Sequence, residues 1–234
     1  MLGIPAAVYL PESATEAKLA AIRLLGPEIV IHGAAWDEAN SLAMDVSLKS
    51  GRAYIHPFDN RAVMAGQGTI VPEVIQQLPA PDLIVASIGG GGLISGIISA
   101  TKHFSPKARV VGVETQGADS MFQSWKAGRI VELPSITSIA ETLGARKTEP
   151  AQFEIVSRHA FDLVTISDDS AIRALLEVLE TEKILTEPAA SCAVAALIEG
   201  RITARPNENV VVILCGANIA LEKVHAWAAR IARD

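Results

Sequence analysis

Short apolar runs alternate with helical stripes along most of the chain. Residues 6–10 (AAVYL) are apolar and close at Pro11, the signature of a buried strand. Ser13 or Thr15 is placed to cap a helix that ends near Gly26 and Pro27. Residues 28–32 (EIVIH) predict the next strand, and Asp37 opens a helix that runs to about Lys49 and stops at Gly51. Two successive strand–helix units predict a parallel sheet with right-handed crossovers.

From Tyr54 to Gly68 the pattern breaks. Pro57, Asp59, Asn60, Gly66 and Gly68 predict an irregular connection, and the domain boundary is placed here: a small α/β subdomain over 1–56 and a larger α/β domain over 57–234. A second strand–helix series follows. It has a short helix over 69–77, a strand over 82–87 (DLIVAS), a helix over 93–103 and a strand over 109–114 (RVVGVE). A helix over 117–128 precedes mixed structure to residue 160. A strand over 163–167 should end on Ser167 as a helix cap, with Asp168 and Asp169 in the first turn, where the helix dipole favours negative charge. Ile172, Leu175, Leu176 and Leu179 form a core-facing stripe. Residues 191–199 make a helix of small side chains, 210–214 (VVVIL) a central parallel strand apolar on both faces, and 219–231 a closing amphipathic helix.

Half of the 234 residues are hydrophobic and a fifth are charged, which excludes disorder on composition alone. A net charge of -6 removes the simple electrostatic case for a nucleic-acid partner. No run approaches the ~20 apolar residues of a membrane span, and the first residues lack the basic and apolar regions of a secretion signal. The two cysteines, Cys192 and Cys215, lack zinc-site spacing. A soluble, cytoplasmic protein is the expectation.

The strongest chemical feature is the strand-to-helix junction at Gly89, Gly90, Gly91 and Gly92. Bare backbone N–H groups at a helix N-terminus suit a phosphate, and four glycines cost more chain entropy than a simple turn needs. The dinucleotide pattern GxGxxG fails, because five positions after Gly89 stands Ile94, and after Gly90, Ser95; no Walker A loop is present either. Cys215, Gly216, Ala217 and Asn218 follow the strand over 210–214, so Cys215 and the glycine loop both fall at the carboxyl ends of strands, where open parallel sheets bind ligands. Glu187 precedes the small-residue helix and can bring a carboxylate to the same crevice. Taken singly, Cys215 reads as a small buried hydrophobe and Glu187 as a helix-start acid.

The runs Tyr54-Ile55-His56-Pro57-Phe58-Asp59, Gly66-Gln67-Gly68-Thr69, Gly89-Gly90-Gly91-Gly92-Leu93-Ile94-Ser95-Gly96, Gly112-Val113-Glu114, Glu187-Pro188-Ala189-Ala190 and Leu214-Cys215-Gly216-Ala217-Asn218 occur in this order. The series resembles the fold-type-II pyridoxal-phosphate (PLP) enzymes, and within them the serine/threonine dehydratases and serine racemases. The resemblance implies an α/β fold of parallel or mixed sheets flanked by helices, like the tryptophan synthase β fold. It implies PLP as cofactor and a small amino acid as substrate. It implies deamination of L-threonine or L-serine to a 2-oxo acid and ammonia, and a homodimer or tetramer of the full-length form. Gly89, Gly90, Gly91, Gly92 and Leu93 would hold the cofactor phosphate, Cys215 would face the pyridine nitrogen, Glu187 would lie near the ring, and Asn218 would order the loop after Cys215. A neutral thiol there does not force the ring nitrogen to stay protonated, which suits β-elimination.

Three places depart from the family pattern and bear on substrate preference: Ala217 within Gly216-Ala217-Asn218, the pair Ser87-Ile88, and Glu141-Thr142-Leu143-Gly144. The resemblance also implies an imine-forming lysine in a Ser-x-Lys-x-Arg context, followed by a Ser-x-Gly-Asn-His loop, both ahead of the segment matching Gly3-Ile4-Pro5. None of Lys18, Lys49, Lys102, Lys107, Lys126, Lys147, Lys183 and Lys223 has those neighbours. The expectation is therefore a chain truncated at its N-terminus, with no catalytic lysine and inactive alone. A non-catalytic protein that binds PLP or phosphate, or serves in assembly, is the alternative.

Overall fold

The computed structural model describes residues 3–34 and 36–231. The chain forms two compact units, with the division between Ile55 and His56. In the first unit, β1 (Ala7–Leu10) and β2 (Glu28–Ile31) pair in parallel, Ala7 opposite Glu28 and Leu10 opposite Ile31. Between them runs α1 (Glu16–Arg23), whose cap is Thr15: its hydroxyl accepts from the Lys18 N–H. Helix α2 (Trp36–Ser50) has Asp37 and Glu38 in its first turn and Lys49 in its last, and buries Ala39 and Ala43.

The second unit is built on a four-stranded parallel sheet in the order β5-β4-β3-β6, comprising β3 (Leu83–Ser87), β4 (Arg109–Thr115), β5 (Asp162–Ile166) and β6 (Val210–Val212). Its helices are α3 (Arg61–Gly68), α4 (Ile70–Gln77), α5 (Gly92–Phe104), α6 (Ser120–Ala127), α7 (Pro150–His159), α8 (Asp168–Thr181), α9 (Pro188–Ile198) and α10 (Leu221–Ile231), with a 3-10 turn at Glu141–Leu143. None of the described helices is long and apolar enough to cross a membrane.

The alternation of side chains along β3 divides the core. Leu83 and Val85 join Val111, Val113 and the small residues of α8 and α9, among them Ala171, Ala174, Ala193 and Ala196. Ile84 and Ala86 join Val110, Val71 of α4, and Ile94, Ile97 and Ile98 of α5. All five residues of β3 are buried, as the continuous apolar run of a strand covered on both faces requires. Ser167 caps α8 by accepting from the Ser170 N–H.

Two local expectations fail. The segment expected to be irregular up to Gly68 contains α3, capped by Asn60, whose side-chain oxygen accepts from the N–H groups of Ala62 and Val63. The glycines that suggested a loop sit inside this helix. Gly68 serves a helix crossing: a β-carbon on it would lie 3.0 Å from the Gly96 carbonyl oxygen on α5. The strand expected at the centre, β6, lies at the sheet edge among the described residues and is only half-buried, while β3 takes the centre. An apolar run reports that both faces are covered, not how many neighbours the strand has.

Candidate active site

The carboxyl ends of β3 and β6 bring the candidate residues together. Parallel pairing of Val85 with Val212, extended by the Ile213 N–H to Val85 carbonyl bond of 2.9 Å, sets the register. Two residues further, Ser87 Oγ and Cys215 Sγ are 3.2 Å apart. The glycine loop begins two residues after Ser87.

In that loop Gly91 has φ +98° and caps α5, a left-handed conformation that strains any residue with a β-carbon. The first bond of α5 runs from the Ser95 N–H to the Gly91 carbonyl at 3.0 Å. Among the described residues, the N–H groups of Gly89, Gly90, Gly91, Gly92, Leu93 and Ile94 have no acceptor. Six successive unpaired donors at the positive end of a helix make an anion site. Bare access for a ligand is only part of why these residues are glycine. A β-carbon at 90 would fall 2.3 Å from the Phe58 ring, one at 92 would fall 2.9 Å from Phe58 Cα, and one at 89 would fall 3.1 Å from the Thr142 carbonyl oxygen. The loop is glycine on the side where protein packs against it, and its amides are what remain unpaired.

Glu187, at the start of α9, is held on two sides. Its N–H donates to the Gly216 carbonyl at 3.0 Å, and Thr142 Oγ1 donates to Glu187 Oε1 at 2.8 Å. The same Oε1 lies 2.5 Å from where a β-carbon on Gly216 would stand, so in this position the carboxylate packs directly against the glycine. Gly89, Thr142, Glu187, Gly216, Cys215 and Ser87 thus close a ring of contacts. Cys215 as a residue is exposed, yet partial desolvation of its thiol raises the pKa above the ordinary value, opposed by the hydrogen bond with Ser87 and aided by the nearby Glu187 carboxylate. The thiol is therefore neutral at physiological pH. Cys192, buried in α9, is pushed up further by burial and is inert.

Phe58 is placed over the loop by a tight turn. His56 Nδ1 accepts from the Phe58 N–H at 3.2 Å and the Asp59 N–H at 2.8 Å, and the two rings meet edge-to-face at 4.5 Å. Accepting at Nδ1 requires that atom to be unprotonated. Burial lowers the pKa of His56, against the raising influence of Asp59 and Glu149. The native imidazole thus resists a proton that the unfolded chain accepts near pH ~6.5. The turn's contribution to stability is complete above that pH and is lost as pH falls from there toward the lower native pKa. Urea midpoints of the parent and of His56→Asn, at about pH 7.5 and about pH 5.5, check this. The parent should lose more stability than the variant on acidification; equal losses would remove His56 as the cause.

Of the residues expected from sequence, Gly89, Glu187 and Cys215 belong to the contact ring, and Gly90, Gly91, Gly92 and Leu93 continue it into α5. Asn218 does not join them: it is exposed, and its side chain makes no hydrogen bond to any described residue, so no contact supports its expected ordering of the loop. Ser87, Thr142 and Gly216 in the ring, and Phe58 against the glycine loop, have no role assigned by residue type alone. Ser87 and Thr142 were visible only as departures from the family pattern, and Phe58 only as part of a motif.

The sequence profile of the pyridoxal-phosphate dependent enzyme family matches residues 1–216. The chain is 37% identical over 224 residues to an L-threonine ammonia-lyase of Geobacter sulfurreducens, covering 96% of this chain and 56% of the relative. It spans little more than half the length of the first curated relatives it matches. Among solved structures, the processed form of threonine deaminase isoform 2 from Solanum lycopersicum superposes with a TM-score of 0.88 at 31% identity, over 97% of this chain and 66% of that one. Maize serine racemase superposes with a TM-score of 0.89 at 28% identity, over 99% and 71%. The parallel sheet, the glycine loop at its carboxyl edge and these likenesses lead to one conclusion: the chain belongs to the family of pyridoxal-phosphate dependent enzymes, of fold type II, in its threonine/serine dehydratase-like branch.

Proposed function

We propose that this chain supplies the cofactor-holding part of an enzyme that deaminates L-threonine or L-serine to a 2-oxo acid and ammonia, in the cytoplasm and as a homodimer or tetramer of the full-length form. The observation that carries the reading is the 3.2 Å approach of Cys215 Sγ to Ser87 Oγ, two residues before the unpaired amides. An anion site and a thiol at the carboxyl ends of neighbouring strands support this reading, since they suit the phosphate and the pyridine nitrogen of PLP. The residues present fit the cofactor: donors without acceptors at one end, an uncharged partner at the other.

Bound there, PLP supplies an electron sink for the bond broken at the substrate Cα. The N–H groups of Gly89, Gly90, Gly91, Gly92 and Leu93 hold the phosphate against the positive end of α5. The Cys215 thiol keeps its proton and leaves the ring nitrogen without a counter-charge. Glu187, fixed by Thr142 and the Gly216 carbonyl, is a carboxylate beside that thiol. Overall, the substrate loses its Cα proton and β-hydroxyl as water, and water then returns to release ammonia, so the 2-oxo acid forms without any oxidant.

None of the eight lysines is proposed to form the imine. Lys102 Nζ is bonded to His159 at 2.8 Å, Lys126 Nζ lies over the Phe122 ring, and Lys223 is ion-paired with Glu141, while none has the family's neighbours. The test is 2-oxo acid release from both amino acids with added PLP. The 234-residue chain should not exceed free PLP, and the same chain combined with a polypeptide carrying the Ser-x-Lys-x-Arg segment should do so clearly. Turnover by the chain alone would mean that one of these lysines serves. No turnover in the combination, with PLP bound, would leave a binding protein in place of an enzyme.

A further inference from the structure

Resting on the reading of the glycine loop as the phosphate holder, we propose that Thr148 is a positioning residue that aims the phosphate-binding amides, with Gln152 as its support. Thr148 stands just before α7 and is fully buried; its Oγ1 donates to the Gly90 carbonyl at 3.1 Å. A peptide group is planar and trans, so fixing the Gly90 carbonyl in one direction points the Gly91 N–H in the opposite one. No side chain at 90 or 91 resists rotation of that peptide, because both residues are glycine. The next peptide is already held, since the Gly91 carbonyl accepts from the Ser95 N–H. Thr148 is thus the side chain that decides where the Gly91 donor points.

Gln152, in the first turn of α7, braces the same loop from its other neighbour. Its Nε2 donates to the Phe58 carbonyl at 2.8 Å and lies 3.4 Å from Asp59 Oδ1 and 3.3 Å from Met64 Sδ. Its Cβ lies 2.9 Å from where a β-carbon on Gly91 would stand. The residue is fully buried and its Oε1 has no partner. Leaving a buried carbonyl unsatisfied is costly, and an apolar side chain would avoid that cost. The donor end of the amide, which holds the Phe58 turn against Gly90 and Gly92, accounts for an amide here. Thr148 and Gln152 together fix the loop's backbone while leaving its N–H groups open.

The experiment is calorimetric titration of the 234-residue chain with PLP and, separately, with pyridoxal, which lacks the phosphate. The parent should prefer PLP. Thr148→Val, isosteric but without the hydroxyl, should weaken PLP about tenfold, the scale of one charge-assisted hydrogen bond, and leave pyridoxal unchanged. Thr148→Ser should restore PLP binding to within about twofold. A Val variant that keeps the parent's preference for PLP overturns the role of Thr148 alone. Equal weakening of both ligands marks a merely structural role and overturns it too. A parent without preference for PLP overturns the phosphate site itself. The unaltered protein gives a reading that does not depend on a variant folding. Titration with inorganic phosphate should shift the Gly91 and Gly92 amide resonances well beyond that of Gly112; no shift at Gly91 would also overturn the proposal.

Discussion

Gly96→Ala should destabilise the protein by about 2 kcal/mol net, with a lowered urea midpoint and an unchanged slope. A β-carbon at this position on α5 would lie 2.2 Å from the Met64 carbonyl oxygen and 2.7 Å from the Gly68 nitrogen, both backbone atoms of α3. Neither can swing aside, so the helices must separate at a cost of about 3 kcal/mol. The ~1 kcal/mol that alanine gains over glycine inside a helix offsets only part of it. Gly66 supplies the control. It lies within α3 with nothing inside 4 Å of its added β-carbon, so Gly66→Ala should stabilise by up to ~1 kcal/mol. Two glycine replacements in adjoining helices, opposite in sign, separate close packing from helix propensity. Equal effects would mean that the α3–α5 approach is looser than described.

Cys215→Asp should lower the rate of 2-oxo acid release about a hundredfold in the lysine-supplemented assembly, with Cys215→Ser within a few-fold of the parent. Partial desolvation keeps the thiol's pKa above its ordinary value even though the residue is exposed. A carboxylate in its place would favour a protonated ring nitrogen. Electrons from Cα would then be drawn more strongly into the ring, and solvent exchange of the Cα proton should fall far less than elimination. That split between exchange, followed by NMR in deuterated water, and product release is the signature. An aspartate variant that eliminates at the parental rate would show that nothing at position 215 governs the ring nitrogen.

Much of this fold is legible in the sequence because its signals are local. Thr15 and Ser167 cap the helices they precede. The apolar run over 83–87 is a buried strand because both its faces are covered. The glycine loop and Cys215 read as strand ends, and the sheet brings those ends together. What escapes local reading is what depends on partners distant in the chain. Gly68 reads as a loop residue until α5 is known to lie against it. The edge position of β6 depends on which strands pair, and its composition does not record that. Gly90 and Gly92 read as ligand access, while much of their necessity comes from Phe58, over thirty residues earlier. Thr142 carried a faint signal as a departure from the family pattern. Gln152 carries none: its stretch reads only as mixed structure, and nothing local marks this glutamine as fully buried.

The most direct measurement is a crystal structure of the chain with PLP. The phosphate oxygens should lie within hydrogen-bonding reach of the amides at 89–93, with the pyridine nitrogen turned toward Cys215 Sγ. A phosphate seated elsewhere, or a ring whose nitrogen points away from that sulfur, would contradict the account.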